Sequence, residues 1–184
     1  MPRVYEPVRF ARDCSAALVP SGAEVIVPEG AEGTLTQALG ASFTIYVGGS
    51  LLRIKGADAD AIGHEPPPPV PIPEHPGVED IEKLVRDQLR EVYDPEIPIN
   101  IVDLGLVYAL SVEPLSGDTG RFRVAVTMTL TAPGCGMGGV LVEEIRSRMA
   151  AIPPIEDVQV DLVFDPPWDM SRMSEEARLE SGLL

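Results

Sequence analysis

The sequence predicts a mixed α/β chain in two modules: a small all-β domain, then a compact α-β-β-α-β-α domain with a three-stranded sheet. Three observations predict it. Short β-prone pieces broken by Gly and Pro fill residues 8–62. The run PPPPVPIPEHP over Pro66–Pro76 then interrupts the chain. Beyond it, apolar residues recur first at helical and then at alternating spacing. With 45% apolar residues the chain can build a core. With aromatics at only 5%, that core must be mostly aliphatic.

The β-prone pieces of the first module are 17–19, 24–27, 34–37, 42–47 and 51–54, with Gly48-Gly49 as a hairpin turn between the last two. A module of about 55 residues sits near the lower limit for independent stability. Consecutive prolines fix φ and remove N–H donors, so residues 66–76 make neither a helix nor a sheet ladder. They favour extended polyproline II, a semi-rigid spacer. The expected division is therefore a β-rich domain over 1–63, a linker over 64–77 and a second domain over 78–184. A docking strip for an aromatic groove is the other reading of the linker.

In the second domain Val78, Ile81, Leu84, Val85, Leu89, Val92 and Tyr93 recur at helical spacing opposite a charged face. This helix is expected to end near Asp94-Pro95, because a residue before proline avoids the α region. Leu104, Leu106, Tyr108, Leu110 and Val112 alternate as a strand facing the core, and Phe122, Val124, Val126, Met128 and Leu130 do the same. The turn-rich stretch between them marks an antiparallel hairpin. A second helix over about 140–150 packs Leu141, Ile145 and Met149 at i, i+4 and i+8. Val158, Val160, Leu162 and Phe164 alternate as a third strand. Ser174-Glu-Glu caps a short last helix with an acidic first turn. The pattern leaves strand order open.

The 29 acidic and 14 basic side chains give a net charge of −15. Such a surface repels nucleic-acid phosphates, which are bound by Lys and Arg, and anionic membranes. Neither a membrane-length apolar run nor a secretory leader is present, so a cytoplasmic location is expected. There Cys14 and Cys135 stay reduced. Two Cys and two His are too few for a self-contained four-ligand site.

The loop Pro133-Gly134-Cys135-Gly136-Met137 joins a strand to the second helix. Its glycines let the backbone approach a bound group. Free N–H groups and the helix dipole favour the thiolate of Cys135, a preferred ligand of iron clusters. Plain packing of a small apolar thiol is the competing reading. The loop lacks GxxxxGK[ST] and a nearby cation, so nucleotide binding is disfavoured. Asp94, Glu96 and Asp103 either help hold metal and orient the thiol, or form turns and caps.

Asp94-Pro-Glu-Ile-Pro-Ile-Asn-Ile-Val-Asp-Leu-Gly-Leu-Val-Tyr108, Met128-Thr-Leu-Thr-Ala-Pro-Gly-Cys135, Asp165-Pro-Pro-Trp168 and Met173-Ser-Glu-Glu-Ala-Arg178 together resemble the PaaD-like small iron–sulfur assembly domains. Cys14, Pro20-Ser-Gly22, Thr36-Gln-Ala-Leu-Gly40 and residues 55–63 look like the front half of the SufT branch of that family. The resemblance implies a non-enzymatic maturation factor with Cys135 as its reactive residue and Asp103 close to it. It implies iron–sulfur assembly machinery and apo client proteins as partners. It also implies a transient cluster or iron rather than a tightly bound cofactor. The loop reads Gly-Cys-Gly-Met where relatives often have Gly-Cys-Pro.

One thiolate cannot hold a cluster that takes four protein ligands, so an adaptor or transient carrier is the leading expectation. A homodimer would bring two copies of Cys135 together. A thiol enzyme with Cys135 as nucleophile is the alternative, although His64 and His75 flank the linker and are poor candidates for its base. A pure interaction module is the third reading.

Overall fold

Residues 5–39, 42–94, 97–116, 120–133 and 136–181 are described by the computed structural model of the chain. The chain divides into two compact units, Met1–Pro69 and Val70–Leu184.

The first unit is a six-stranded antiparallel sheet: β1 (Glu6–Arg9), β2 (Cys14–Val19), β3 (Glu24–Val27), β4 (Glu32–Leu39), β5 (Ser42–Val47) and β6 (Ser50–Lys55), in the order β1-β4-β5-β6-β2-β3. The Gly48-Gly49 turn is as expected. Val47 pairs with Ser50, and both glycines have positive φ, 57° and 92°, as a twisted two-residue hairpin requires. Thr36 is an extra residue between the Leu35–Ile45 and Gln37–Thr44 pairs, and its hydroxyl donates to the Thr44 carbonyl at 3.0 Å. β1 and the 3₁₀ segment Gly56–Ile62 add to the expected pieces. Val8, Phe10, Cys14, Leu35, Ile45, Leu52 and Ile54 form the aliphatic-rich core.

The second unit runs α1 (Val78–Leu89), β7 (Val107–Pro114), β8 (Phe122–Met128), α2 (Gly138–Ala150), β9 (Ile155–Leu162) and α3 (Glu175–Ser181). This is the expected α-β-β-α-β-α order with a three-stranded sheet. β8 is central, antiparallel to β7 and parallel to β9. α1 buries Ile81, Val85 and Leu89, and α2 buries Leu141, Ile145 and Met149, so the apolar stripes of the sequence are the packed faces. The Asp80 carboxylate accepts the Gly77 N–H at 2.9 Å where α1 begins, and the Ser174 hydroxyl accepts from Ala177 N–H at 3.1 Å where α3 begins.

Three local expectations need correction. α1 stops at Leu89, not near Asp94. The chain turns, Val92 remains buried, its carbonyl accepts the Ile101 N–H at 2.9 Å, and the Asp94 N–H donates to the Ile99 carbonyl at 3.1 Å. An apolar period thus outlives the helix because the turn keeps pointing inward. β7 begins at Val107, while Leu104 and Leu106 are buried in the turn before it. β9 ends at Leu162, leaving Phe164 exposed.

Candidate functional site

Three stretches of the second unit meet at the end of β8. Thr129 N–H donates to the Leu106 carbonyl at 2.9 Å, and Val163 N–H donates to the Met128 carbonyl at 2.8 Å. The loop that leaves β8 toward α2 therefore starts between the turn over 100–106 and the segment that follows β9. Leu130 and Met137, on either side of the loop, are buried, while Ala132, Pro133 and Gly136 are exposed. Gly138 opens α2 against Leu130, where a Cβ would lie 2.8 Å from its Cδ1. Among the described residues no side chain caps the N-terminus of α2, and its leading N–H groups have no acceptor within the helix.

Cys135 and Gly134, the centre of the expected site, lie outside the described residues, as does Glu96. Asp103 is half-buried. Its carboxylate accepts the Asn100 side-chain amide at 2.6 Å, and its N–H donates to the Asn100 Oδ1 at 2.9 Å. Asp94 is buried, and its Oδ1 accepts Ile97 N–H at 2.8 Å. Asp94 thus holds the turn that leads into Asn100, and Asn100 in turn orients Asp103. Among the described residues, no three His, Cys, Asp or Glu side chains are grouped to hold a metal ion.

A strap over 165–174 covers the Asp103 turn. Trp168 Nε1 donates to the Leu104 carbonyl at 2.7 Å. Tyr108 donates its hydroxyl to the Pro166 carbonyl at 2.9 Å, and the Arg172 guanidinium stacks 4.4 Å from the Tyr108 ring centroid. Ser174 N–H donates to the Asp103 carbonyl at 2.8 Å. Tyr108 reaches the strap because it is the extra residue of a β-bulge: Val107 pairs with Met128 and Ala109 with Thr127. Such a bulge re-aims a side chain, so Tyr108 does not share the core face of Leu110 and Val112. Gly105, with φ +70°, lies so close to the strap that a Cβ would sit 2.6 Å from the Arg172 carbonyl carbon. Within the strap Ser171 holds the Asp169 carboxyl below its ordinary range by hydrogen bonding.

Asn100, Thr129, Tyr108, Trp168 and Arg172 join the expected residues in this region. Thr129 carried a signal in the sequence only as part of a motif. Its Oγ1 is buried with no hydrogen-bond partner among the described residues.

Cys14 is a different thiol. It is 1% exposed in the core of the first unit, and burial pushes its pKa up, so it is held as a neutral packing group.

A family described as iron-sulfur cluster assembly protein matches residues 82–162. An Fe-S protein maturation auxiliary factor of Porphyromonas gingivalis is 47% identical over 103 residues, 56% of this chain and 91% of the relative. The Fe-S protein maturation auxiliary factor SufT of Staphylococcus aureus is 41% identical over 92 residues, 50% of this chain and 98% of the relative. An iron-sulfur cluster carrier protein of Deinococcus radiodurans is 33% identical over 73 residues, 40% of this chain and 19% of the relative.

Proposed function

Since the chain belongs to the iron–sulfur cluster assembly protein family, we propose that it is an adaptor or transient carrier that delivers clusters to apoproteins through Cys135. The observation that carries this reading is the convergence at the end of β8. The Asp103 turn hydrogen-bonds the residue that starts the Cys135 loop, and the strap hydrogen-bonds that turn. Three separate motifs are thereby tied around one thiol-bearing loop.

The chemistry is ligand exchange. A cluster iron is bound by the Cys135 thiolate, and a client cysteine then attacks that iron. The client's thiol proton passes to the departing Cys135 sulfur, and no electron changes hands. Clusters of this kind take four cysteine ligands, and one chain offers a single loop thiolate. The remaining ligands come from a second copy of the chain, a small thiol or the client. Incomplete ligation suits a protein that must release its cargo. Asn100 fixes the Asp103 carboxylate beside the turn, and Asp103, Asp94 and Glu96 are the oxygen donors or orienting groups of this reading. Gly134 and Gly136 leave room for the client backbone. The division of labour places this work in the module over 78–184, with 1–63 as an accessory β module and 64–77 as the connection, in the cytoplasm.

The test is made in cells under high demand for iron–sulfur proteins. Cys135→Ala lowers the activity of cluster-dependent enzymes to the level of a strain lacking the protein, while Cys14→Ala does not. Full enzyme activity with a stable Cys135→Ala chain overturns the proposal.

A further inference from the structure

The three-stranded sheet of the second unit ends on two edges, β7 and β9, and they are unlike. β7 is blunted at both ends, by the bulge at Tyr108 and by Pro114, which has no N–H. β9 keeps an unbroken register with β8 from Asp157 to Leu162 and contains neither Pro nor Lys. Among the described residues, no backbone hydrogen bond reaches its far side.

The pairing with β8 fixes the phase of that edge. Alternate residues of a parallel strand turn their N–H and C=O groups to the same neighbour. Val163 N–H donates to the Met128 carbonyl at 2.8 Å, so Asp157, Gln159 and Asp161, in step with it, bond β8. Val158, Val160 and Leu162 therefore turn their N–H and C=O groups outward. Their side chains pack on the core, Val160 buried and the other two half-buried. The alternate side chains stand on the opposite face. There Arg123 Nε donates to Asp157 at 2.6 Å, and the Gln159 amide donates to Asp161 at 2.7 Å. No Lys or Arg occurs between Arg148 and Arg172, a stretch that holds Glu156, Asp157, Asp161, Asp165 and Asp169.

We infer that the outer edge of β9 takes up an extended segment of a partner protein in which apolar residues alternate with Lys or Arg. The segment adds a fourth strand to the sheet, its backbone bonding Val158, Val160 and Leu162. Its apolar side chains extend the row that those three residues lay over the core. Its cationic side chains lie beside Asp157 and Asp161 on the other face, as cross-strand pairing favours. A second copy of this chain is the wrong occupant, because two β9 edges would set carboxylates against carboxylates. An edge closed to every strand would carry a proline, a lysine or a bulge along its length. A regular backbone flanked by one sign of charge repels acidic strands and admits basic ones.

The test uses the full chain and short synthetic peptides of equal length. One alternates Val with Lys, one has the same composition in blocks, and one alternates Val with Glu. Binding is followed by amide hydrogen exchange, read residue by residue by NMR. The expected result is that only the alternating Val–Lys peptide slows exchange at Val158, Val160 and Leu162. N-methylating alternate amides of that peptide abolishes the protection in one phase and spares it in the other. Asp161→Lys weakens the binding roughly three- to ten-fold, whereas Glu113→Lys, the same change of charge on β7, leaves it unchanged. Four results overturn the inference: no binding, equal protection by the block peptide, protection away from this edge, or the same protection from self-association without peptide. The outcome does not depend on Cys135.

Discussion

Residues 1–69 carry five basic and eight acidic side chains, and residues 70–184 carry nine and twenty-one. Most of the net negative charge therefore belongs to the second unit, although both units have aliphatic cores of fully buried residues. The polar bonds differ in kind as well. In the first unit Arg12 clasps Asp58 and Asp60 at the surface, and the one thiol is sealed inside. In the second, polar groups tie together the pieces of chain around the loop that bears the other thiol. The difference teaches how one chain keeps two cysteines for two purposes. Burial in an all-β core makes Cys14 a packing atom, whereas the proposed role of Cys135 asks for a sulfur left available for metal.

The largest expected effect tests that contrast directly. Maleimide labelling at neutral pH, followed by intact mass, should add one adduct to the native chain at Cys135. Cys14 should react on the order of a thousand-fold more slowly, because it waits for unfolding. Equal rates would break the comparison. Next in size, Ile45→Ala in the first unit and Leu141→Ala in the second, both fully buried, should each cost about 2–5 kcal/mol. Hydrogen exchange should rise only in the unit that is mutated. A loss of protection in both units would mean that they melt as one body.

A smaller effect sharpens the account of the strap. Gly105→Ala places a Cβ at φ +70° against Arg172. The left-handed conformation alone costs about 1–2 kcal/mol, and the strap must move as well. Trp168 is the only tryptophan, so its emission should shift to the red as its bond to Leu104 breaks. An unchanged spectrum would show that the strap tolerates the side chain.

The smallest effect is electrostatic. Arg12, by hydrogen bonding, holds the Asp60 carboxyl below its ordinary value of 3.8. A depressed folded pKa stabilises above the unfolded value and loses that contribution as pH falls through the carboxylate range. The urea midpoint of the wild type should therefore fall slightly more steeply below about pH 4 than that of Asp60→Asn. Exposure keeps the difference small.

Local pattern made several features legible. The stripe Leu141, Ile145 and Met149 gave α2, the paired glycines 48 and 49 gave the β5–β6 turn, and Ser174 gave the cap of α3. What stayed hidden was what depends on distant residues or on an inserted one. Alternation cannot see that Tyr108 is an extra residue in β7, since the bulge exists only relative to β8. Nor can it place β9 parallel beside β8, because that pairing is decided across α2. Val92 extended the helical period past the helix because a turn can bury a residue as well as a helix does. At the site, the Asp94–Tyr108 and Met128–Cys135 motifs that carry the family resemblance were readable as text. The Asn100 side chain that orients Asp103 and the Trp168 indole that reaches Leu104 leave no periodic trace.

The strap also sets an order of events. Its partners in the Asp103 turn and at Tyr108 leave the ribosome first, and Pro166 and Trp168 follow 58 and 64 residues later. Until they arrive, the turn has its own bonds to Asn100 but no cover, so a nascent chain presents this region in an unfinished form. A chain cut after β9 would leave the Leu104 carbonyl without its Trp168 donor, which makes the closing of the strap a step that can be observed by itself.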